Sequence, residues 1–277
     1  MSDLIITSPS NPRLKNLTAL RRRRSREESG LTLIEGFEEL SLALGAGVLP
    51  RAVYYCPELM LDPEAQLDVV SGVAAHGVDT IQLGRGAFEK VAYREGPDGF
   101  LAVVESVTRT CADLEVGPDS LALLCQGVEK PGNLGAMLRT ADAAGVEAVI
   151  AADPVTDWGN PNLVRASKGT VFSVPVASDS TAATIDWLSG QGIALVATTP
   201  DTDVDYTEVD YTGPVAIAVG AEKYGLTDEV LAAAAHRVRI PMAGRANSLN
   251  VATSAAIVIY EAVRQRRGRC ARPPGRE

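Results

Sequence analysis

Hydrophobic positions along this chain fall into short strand-like blocks separated by stretches with helical spacing. Near the start, Asn11-Pro12 opens a helix through Arg13 to Arg21, with Leu14, Leu17 and Leu20 at three-residue intervals as its buried stripe. After Gly30 the rhythm alternates. Leu31–Ile34, Ala52–Cys56, Thr80–Leu83 and Phe100–Glu105 read as strands, and Glu35–Ala46, Pro63–Ala75 and Ala87–Val91 as helices. Such alternation predicts a small α/β layer domain over residues 1–107. Residues 108–119 carry Thr, Asp, Gly and Pro with little apolar pattern and read as a linker. From residue 120 to 277 the apolar blocks return at Leu121–Cys125, Ala148–Ala152, Val174–Ala177, Ala194–Ala197, Val215–Val219 and Val238–Ile240. Near-continuous apolar strands separated by helices predict a parallel sheet covered on both faces. A last apolar helix runs from Val251 to near Arg267, and the Arg269–Glu277 end reads as disordered.

Composition narrows the function classes. A length of 277 residues with 46% hydrophobic content suits two ordinary domains. No apolar run reaches the roughly 20 residues of a membrane span, and the first residues lack an export signal, so a cytoplasmic protein is expected. Cys56, Cys111, Cys125 and Cys270 are too widely spaced for a zinc framework. With only His76 and His236 a multi-histidine metal site is excluded, and no metal is expected. Chemistry falls to Arg, Asn, Ser, Glu and backbone groups.

The net charge of −9 argues against nucleic acid, but its distribution reverses the argument. Residues 13–26 hold Arg13, Lys15, Arg21, Arg22, Arg23, Arg24 and Arg26 with no acid; residues 264–276 hold Arg264, Arg266, Arg267, Arg269, Arg272 and Arg276, again with none. The remainder has 13 basic against 35 acidic groups, a net of −22. Local positive density on an acidic protein is what a polyanion contact requires; solvated basic tails are the plainer alternative.

Three stretches join a polar or glycine-rich turn to an apolar helical run. In Gly127-Val-Glu-Lys-Pro-Gly-Asn133-Leu-Gly-Ala-Met-Leu-Arg139, Asn133 is a favoured helix cap, and Arg139, nearly two turns on, is placed to share its face. The Gly-Lys-Ser/Thr ending of a phosphate-binding P-loop is absent. In Gly220-Ala-Glu222-Lys-Tyr-Gly225-Leu-Thr227, Gly220 at a strand end lets a flat ligand approach the backbone, and Thr227 caps the next helix. In Ile240-Pro-Met242 with Asn247-Ser248-Leu249-Asn250, Ser248 and Asn250 stand at a helix start, where they can satisfy free amides. A fourth stretch, Asn162 to Thr170, carries Arg165 and Lys168, which either meet RNA phosphate or form a solvated helix face.

In order and spacing these motifs resemble those of the SpoU (TrmH-like) branch of the SPOUT RNA methyltransferases, and the N-terminal part resembles the small α/β, ribosomal-protein L30e-like substrate-recognition domain that precedes many of them. The resemblance implies a C-terminal SPOUT domain with a deep trefoil knot, homodimerisation through it, and S-adenosylmethionine as methyl donor to a ribose 2′-hydroxyl of RNA. It further implies Arg139, Asn133, Glu222, Ser248 and Asn250 as catalytic residues. Cofactor binding would fall to Thr198, Gly220, Ile240, Met242, Ser248 and Leu249, and RNA binding to Arg13, Arg21, Arg22, Arg23, Arg24, Arg165 and Lys168. The separate first domain is similar to those of rRNA-directed members acting on 23S rRNA, some of which confer resistance to antibiotics such as avilamycin or thiostrepton. A tRNA-directed enzyme and a knotted RNA-binding protein without catalysis are the alternatives. An open Rossmann methyltransferase is disfavoured, because no Gly-x-Gly-x-Gly turn follows a first strand.

Overall fold

The computed structural model describes residues 4–270, with residues 269 and 270 described in backbone only. By contacts the chain divides into two compact units, Met1–Val107 with Asp157–Ser173, and Thr108–Thr156 with Val174–Glu277.

The first unit contains β1 (Ile5–Ile6), α1 (Pro12–Ala19), α2 (Arg23–Ser29), β2 (Leu31–Glu35), α3 (Phe37–Gly45), β3 (Ala52–Tyr55), α4 (Pro63–Ala75), β4 (Asp79–Leu83), α5 (Arg85–Val91) and β5 (Phe100–Glu105). Its mixed sheet has the order β1-β4-β3-β5-β2. Leu14, Leu17 and Leu20 are buried as their spacing predicts, and they join Tyr54, Ile81 and Phe88 in one apolar cluster. Burying each such side chain stabilises the unit by about 1.5–3 kcal/mol. Asn11 caps α1 by accepting from the Arg13 amide at 2.9 Å.

Residues 157–173 join this unit through specific polar contacts. Buried Arg26 makes a two-bond ion pair with Asp157, at 2.9 and 2.5 Å, and also donates to the Leu20 and Arg21 carbonyls. Thr32 Oγ1 donates to the Gly159 carbonyl. Gly169, at φ +84°, lies so close to Glu39 that a Cβ would stand 2.9 Å from its carbonyl oxygen.

The second unit supplies β6 (Leu121–Gln126), α6 (Pro131–Ala144) and β7 (Ala148–Ala152). The chain then passes through α7 (Pro161–Ala166), which belongs to the first unit, and continues with β8 (Val176–Asp179), α8 (Thr181–Gly190), β9 (Ala194–Thr198), β10 (Val215–Val219), α9 (Asp228–Ala233), β11 (His236–Val238) and α10 (Val251–Cys270). All six strands are parallel, in the order β11-β9-β10-β6-β7-β8. β6, β7 and β10 are buried along their whole length, as expected for a sheet covered on both faces. The segment read as a linker is packed: Cys111 and Leu114 belong to this unit's core, and the Arg109 carbonyl accepts from the Ser178 amide. Helix α10 runs on through Cys270, and residues 271–277, with Arg272 and Arg276, lie outside the described residues.

Candidate active site

Because the strands are parallel, Gln126, Thr198, Val219 and Val238 end at one edge of the sheet, and the loops that follow them gather there. Crevices outside the carboxyl ends of parallel strands are where α/β sheets hold ligands. Here the edge carries a cavity lined by Thr198, Val238, Ile240, Met242, Ser248 and Leu249, among others. Five of the expected cofactor residues thus border one space. Its walls are apolar from Val238, Ile240 and Leu249 and carry hydroxyls from Thr198 and Ser248. Thr198 is fixed by donating from Oγ1 to the Ala218 carbonyl at 2.8 Å.

Gly220 is not part of that lining, and its lack of a side chain is required by the fold of its own loop. The Ala221 amide donates to the Gly225 carbonyl and the Gly225 amide to the Ala221 carbonyl, at 3.1 and 2.8 Å, closing a tight loop. A Cβ on Gly220 would stand 2.1 Å from the Gly225 carbonyl carbon. The close approach that demands glycine is made by the protein's own turn. Gln126, which sequence reasoning missed, pins the far end of this loop. It is buried, donates to Thr227 Oγ1 at 2.8 Å and accepts from the Thr227 amide at 2.9 Å. Thr227 precedes α9 as expected, but its hydroxyl serves Gln126 instead of a helix amide. The only signal in the sequence was a polar residue ending an apolar strand.

The three motifs meet through side chains. Asn133 Nδ2 donates to Glu222 Oε1 at 2.5 Å, and Asn250 Nδ2 donates to Asn133 Oδ1 at 3.1 Å. Asn133 is free for this because it is not the cap of α6. Lys130 holds that position and Pro131 opens the helix, leaving Asn133 in its first turn with its side chain directed outward to the other motifs. The cap of α10 is Asn250, not Ser248: Asn250 Oδ1 accepts from the Ala252 amide at 2.9 Å, so one carboxamide both starts the helix and locks the motifs together.

Arg139 lies elsewhere. It is exposed and lines a shallow depression with Ala136, Thr140, Ala143 and Tyr260. The expectation that it shares a face with Asn133 fails on helix geometry, since six residues turn the helix about 600°, roughly 120° short of two full turns. One chain therefore assembles Asn133, Glu222 and Asn250 beside the Thr198–Leu249 cavity and leaves Arg139 outside it.

In the first unit the basic residues divide. Arg21 donates to the Val91 and Ala92 carbonyls at 2.7 and 2.8 Å, and its guanidinium lies 5.3 Å from the Tyr93 ring centroid. It is a clamp on the chain after α5. Arg23 and Arg24 pair with Glu27 and Glu28 on the same helix, both at 2.7 Å. Lys168 pairs with Glu38 at 2.9 Å, and that contact holds its ammonium pKa above the usual value. Arg13, Arg22 and Arg165 are exposed. The C-terminal run is also partly internal: Arg266 donates to the Tyr211, Ser120 and Gly213 carbonyls, and burial lowers its pKa.

Cys56, Cys111 and Cys125 are buried free thiols, and burial drives Cys125 far above the ordinary thiol range, so it stays protonated. Among the described residues no group of three His, Cys, Asp or Glu could hold a metal, and no helix is long and apolar enough to cross a membrane.

Known proteins match both units. Residues 120–260 match the SpoU rRNA Methylase family, and residues 11–102 match the MRM3-like substrate binding domain. A 23S rRNA (uridine(2479)-2′-O)-methyltransferase from Streptomyces viridochromogenes is 34% identical, over 91% of this chain and 89% of its own. Among solved structures, an RNA 2′-O ribose methyltransferase is 41% identical with a TM-score of 0.83, covering 95% of this chain and 99% of that one. An AdoMet-bound rRNA methyltransferase from Sinorhizobium meliloti is 31% identical with a TM-score of 0.86, covering 94% and 97%. With its three motifs interlocked at the carboxyl edge of a parallel sheet and both units matched, this chain belongs to the SpoU rRNA methylase family.

Proposed function

We propose that the protein methylates a ribose 2′-hydroxyl of large-subunit rRNA, using S-adenosylmethionine, and works as a cytoplasmic homodimer. The observation that carries this reading is the Asn133–Glu222–Asn250 lock beside the Thr198–Leu249 cavity. The cavity suits the donor chemically: Val238, Ile240 and Leu249 offer apolar surface to a purine, and Thr198 and Ser248 offer hydroxyls to a polar tail. When bound, S-adenosylmethionine supplies an electrophilic methyl group on a sulfonium. The chain's own residues then have to orient the sugar and stabilise the oxygen as it loses its proton. Asn133, held by Glu222 and Asn250, presents a fixed carboxamide for orientation.

Arg139 serves best as an electrostatic stabiliser, because a guanidinium gives up its proton only above about pH 12. Its place outside the cavity is the reason for invoking a second subunit: across a two-fold interface, the Arg139 of one copy would complete the site of the other. The exposed Tyr260, beside Arg139, is apolar surface for such an interface. The placement of β9 between β10 and β11, followed by α10 returning to pack on α6 and β10, supports a trefoil knot in this unit. We take residues 1–107 as the recognition domain, with residues 157–173 added by contact, 108–119 as the connection and 120–277 as the methyltransferase domain. The separate recognition domain favours rRNA over tRNA.

Incubation with methyl-labelled S-adenosylmethionine and unmodified 23S rRNA, followed by digestion to nucleosides, tests the reading. Label in a 2′-O-methylated nucleoside is expected. Label on a base, on tRNA alone, or on no RNA contradicts it.

A further inference from the structure

The bond between Gln126 and Thr227 is one end of a longer polar chain in the second unit. Gln126 and Thr181 are each 3% exposed. Besides its two bonds to Thr227, Gln126 donates from Nε2 to Thr181 Oγ1 at 2.8 Å. Thr181 in turn donates from Oγ1 to Asp153 Oδ2 at 2.5 Å and from its amide to Asp153 Oδ1 at 3.3 Å. The chain joins the end of β6, the residue after β7, the first residue of α8 and the residue before α9.

The hydrogens of this chain have one consistent arrangement. A carboxylate only accepts, so Asp153 takes the single hydroxyl hydrogen of Thr181. The Thr181 oxygen is then left to accept, and the amide nitrogen of Gln126 faces it. That turns the Gln126 oxygen to the Thr227 amide, a group that only donates. Asp153 stands at φ +48°, an uncommon state for a residue other than glycine and one that concentrates at functional sites.

The far end of the chain explains what it serves. Thr227 lies just past Gly225, whose paired bonds with Ala221 close residues 221–225 into a loop that contains Glu222. Glu222 receives the bond from Asn133 in an exposed position, where water competes and a hydrogen bond holds little by itself. A site residue keeps its geometry when buried neighbours lock the segment that carries it. Gln126 and Thr181 are the buried neighbours of this loop.

We propose that Gln126 and Thr181, oriented by Asp153, are positioning residues for methyl transfer. They set the 221–225 loop so that Glu222 holds Asn133 toward the ribose. The inference rests on the methyl-transfer reading and adds the buried support of its site. Residues 221–227 do not line the donor cavity, and Thr198 there is held by Ala218 instead. The chain therefore governs the rate of transfer and not the affinity for the donor.

Thr181→Val keeps the outline of the side chain and removes its hydroxyl, whereas Thr181→Ser keeps the hydroxyl. Methyl transfer to 23S rRNA is followed in both and in Gln126→Ala, with the thermal midpoint measured alongside. In Thr181→Val and Gln126→Ala, kcat is expected to fall roughly ten- to hundredfold, while the KM for S-adenosylmethionine holds and Thr181→Ser stays near the parent. In an Asn133→Ala background, Gln126→Ala lowers kcat by less than about twofold, because the group it acts through has gone. A loss of packing alone would cost the same in both backgrounds. Hydrogen exchange at the Ala221, Gly225 and Thr227 amides needs no substrate, and it quickens in Thr181→Val but not in Thr181→Ser. Full kcat in Thr181→Val or Gln126→Ala, equal losses with and without Asn133, or unchanged exchange in Thr181→Val overturns the proposal. The two readings fail separately. A parent protein that methylates no RNA yet shows the exchange pattern sinks methyl transfer and leaves the hold on the loop standing. One that methylates rRNA at full rate with Thr181→Val does the reverse.

Discussion

The basic helices of the first unit and the loops along the sheet edge of the second are both dense in polar residues, but they use them differently. In the first unit the internal structure takes up much of the charge: Arg21 and Arg26 clamp backbone carbonyls and Asp157, and Arg23 and Arg24 pair along α2. Along the sheet edge, Pro241 through Asn250 are all exposed, and there the bonds that Asn133 donates to Glu222 and accepts from Asn250 join motifs to one another. Charge density in a sequence therefore overstates what is free for a ligand. The free part is what the backbone does not need.

The largest effect that would break this comparison is at Arg26. With its side chain 3% exposed and that of Asp157 22%, Arg26→Ala strands a partly buried carboxylate and two carbonyls. A loss of about 3–5 kcal/mol is expected, read from urea unfolding; a protein as stable as the parent would mean that this arginine is not internal. Next comes Gly220→Ala, which sets a methyl group against the Gly225 backbone. It should cost about 1–3 kcal/mol by thermal unfolding and lower affinity for S-adenosylmethionine in calorimetry. A neutral result would show that the 220–225 loop can relax.

Asn133→Ala removes the centre of the lock while touching little of the core. Methyl transfer should fall roughly ten- to hundredfold, in line with the about 1.5–3 kcal/mol of a hydrogen bond to a charged group, with little change in melting. Arg22→Ala sits at the other extreme. It is exposed, so stability should move by no more than about 0.5 kcal/mol, and only RNA affinity and its salt dependence should respond. A large stability loss there would erase the distinction between internal and available charge.

How much of this was legible in the sequence depends on where the information lies. β5 and α4 occur where the apolar rhythm placed them, because period-2 and period-3.6 patterns are local. Helix α2 went unseen: its sequence RRSREES has no apolar stripe, and its one buried residue is Arg26, held by a partner 131 positions away. The two-residue β1 is too short to carry a period. The attachment of residues 157–173 to the first unit rests on the same long-range pair and on Thr32 with Gly159. At the site, motif order foretold which loops gather. It did not foretell that Pro131 moves Asn133 off the cap position, which depends on where one helix begins; that Arg139 turns away from Asn133 was legible, since a spacing of six falls about 120° short of two turns.

On the proposed reading, the loops after β9, β10 and β11 form the donor site and the arginine of α6 reaches it from a second copy. A crystal structure of the protein with S-adenosylmethionine tests this most directly. The donor is expected to be bordered by Thr198, Ile240 and Leu249, in a dimer whose interface brings Arg139 of one copy to the other's cavity. A donor bound elsewhere, or a dimer that leaves Arg139 in open solvent, would contradict it.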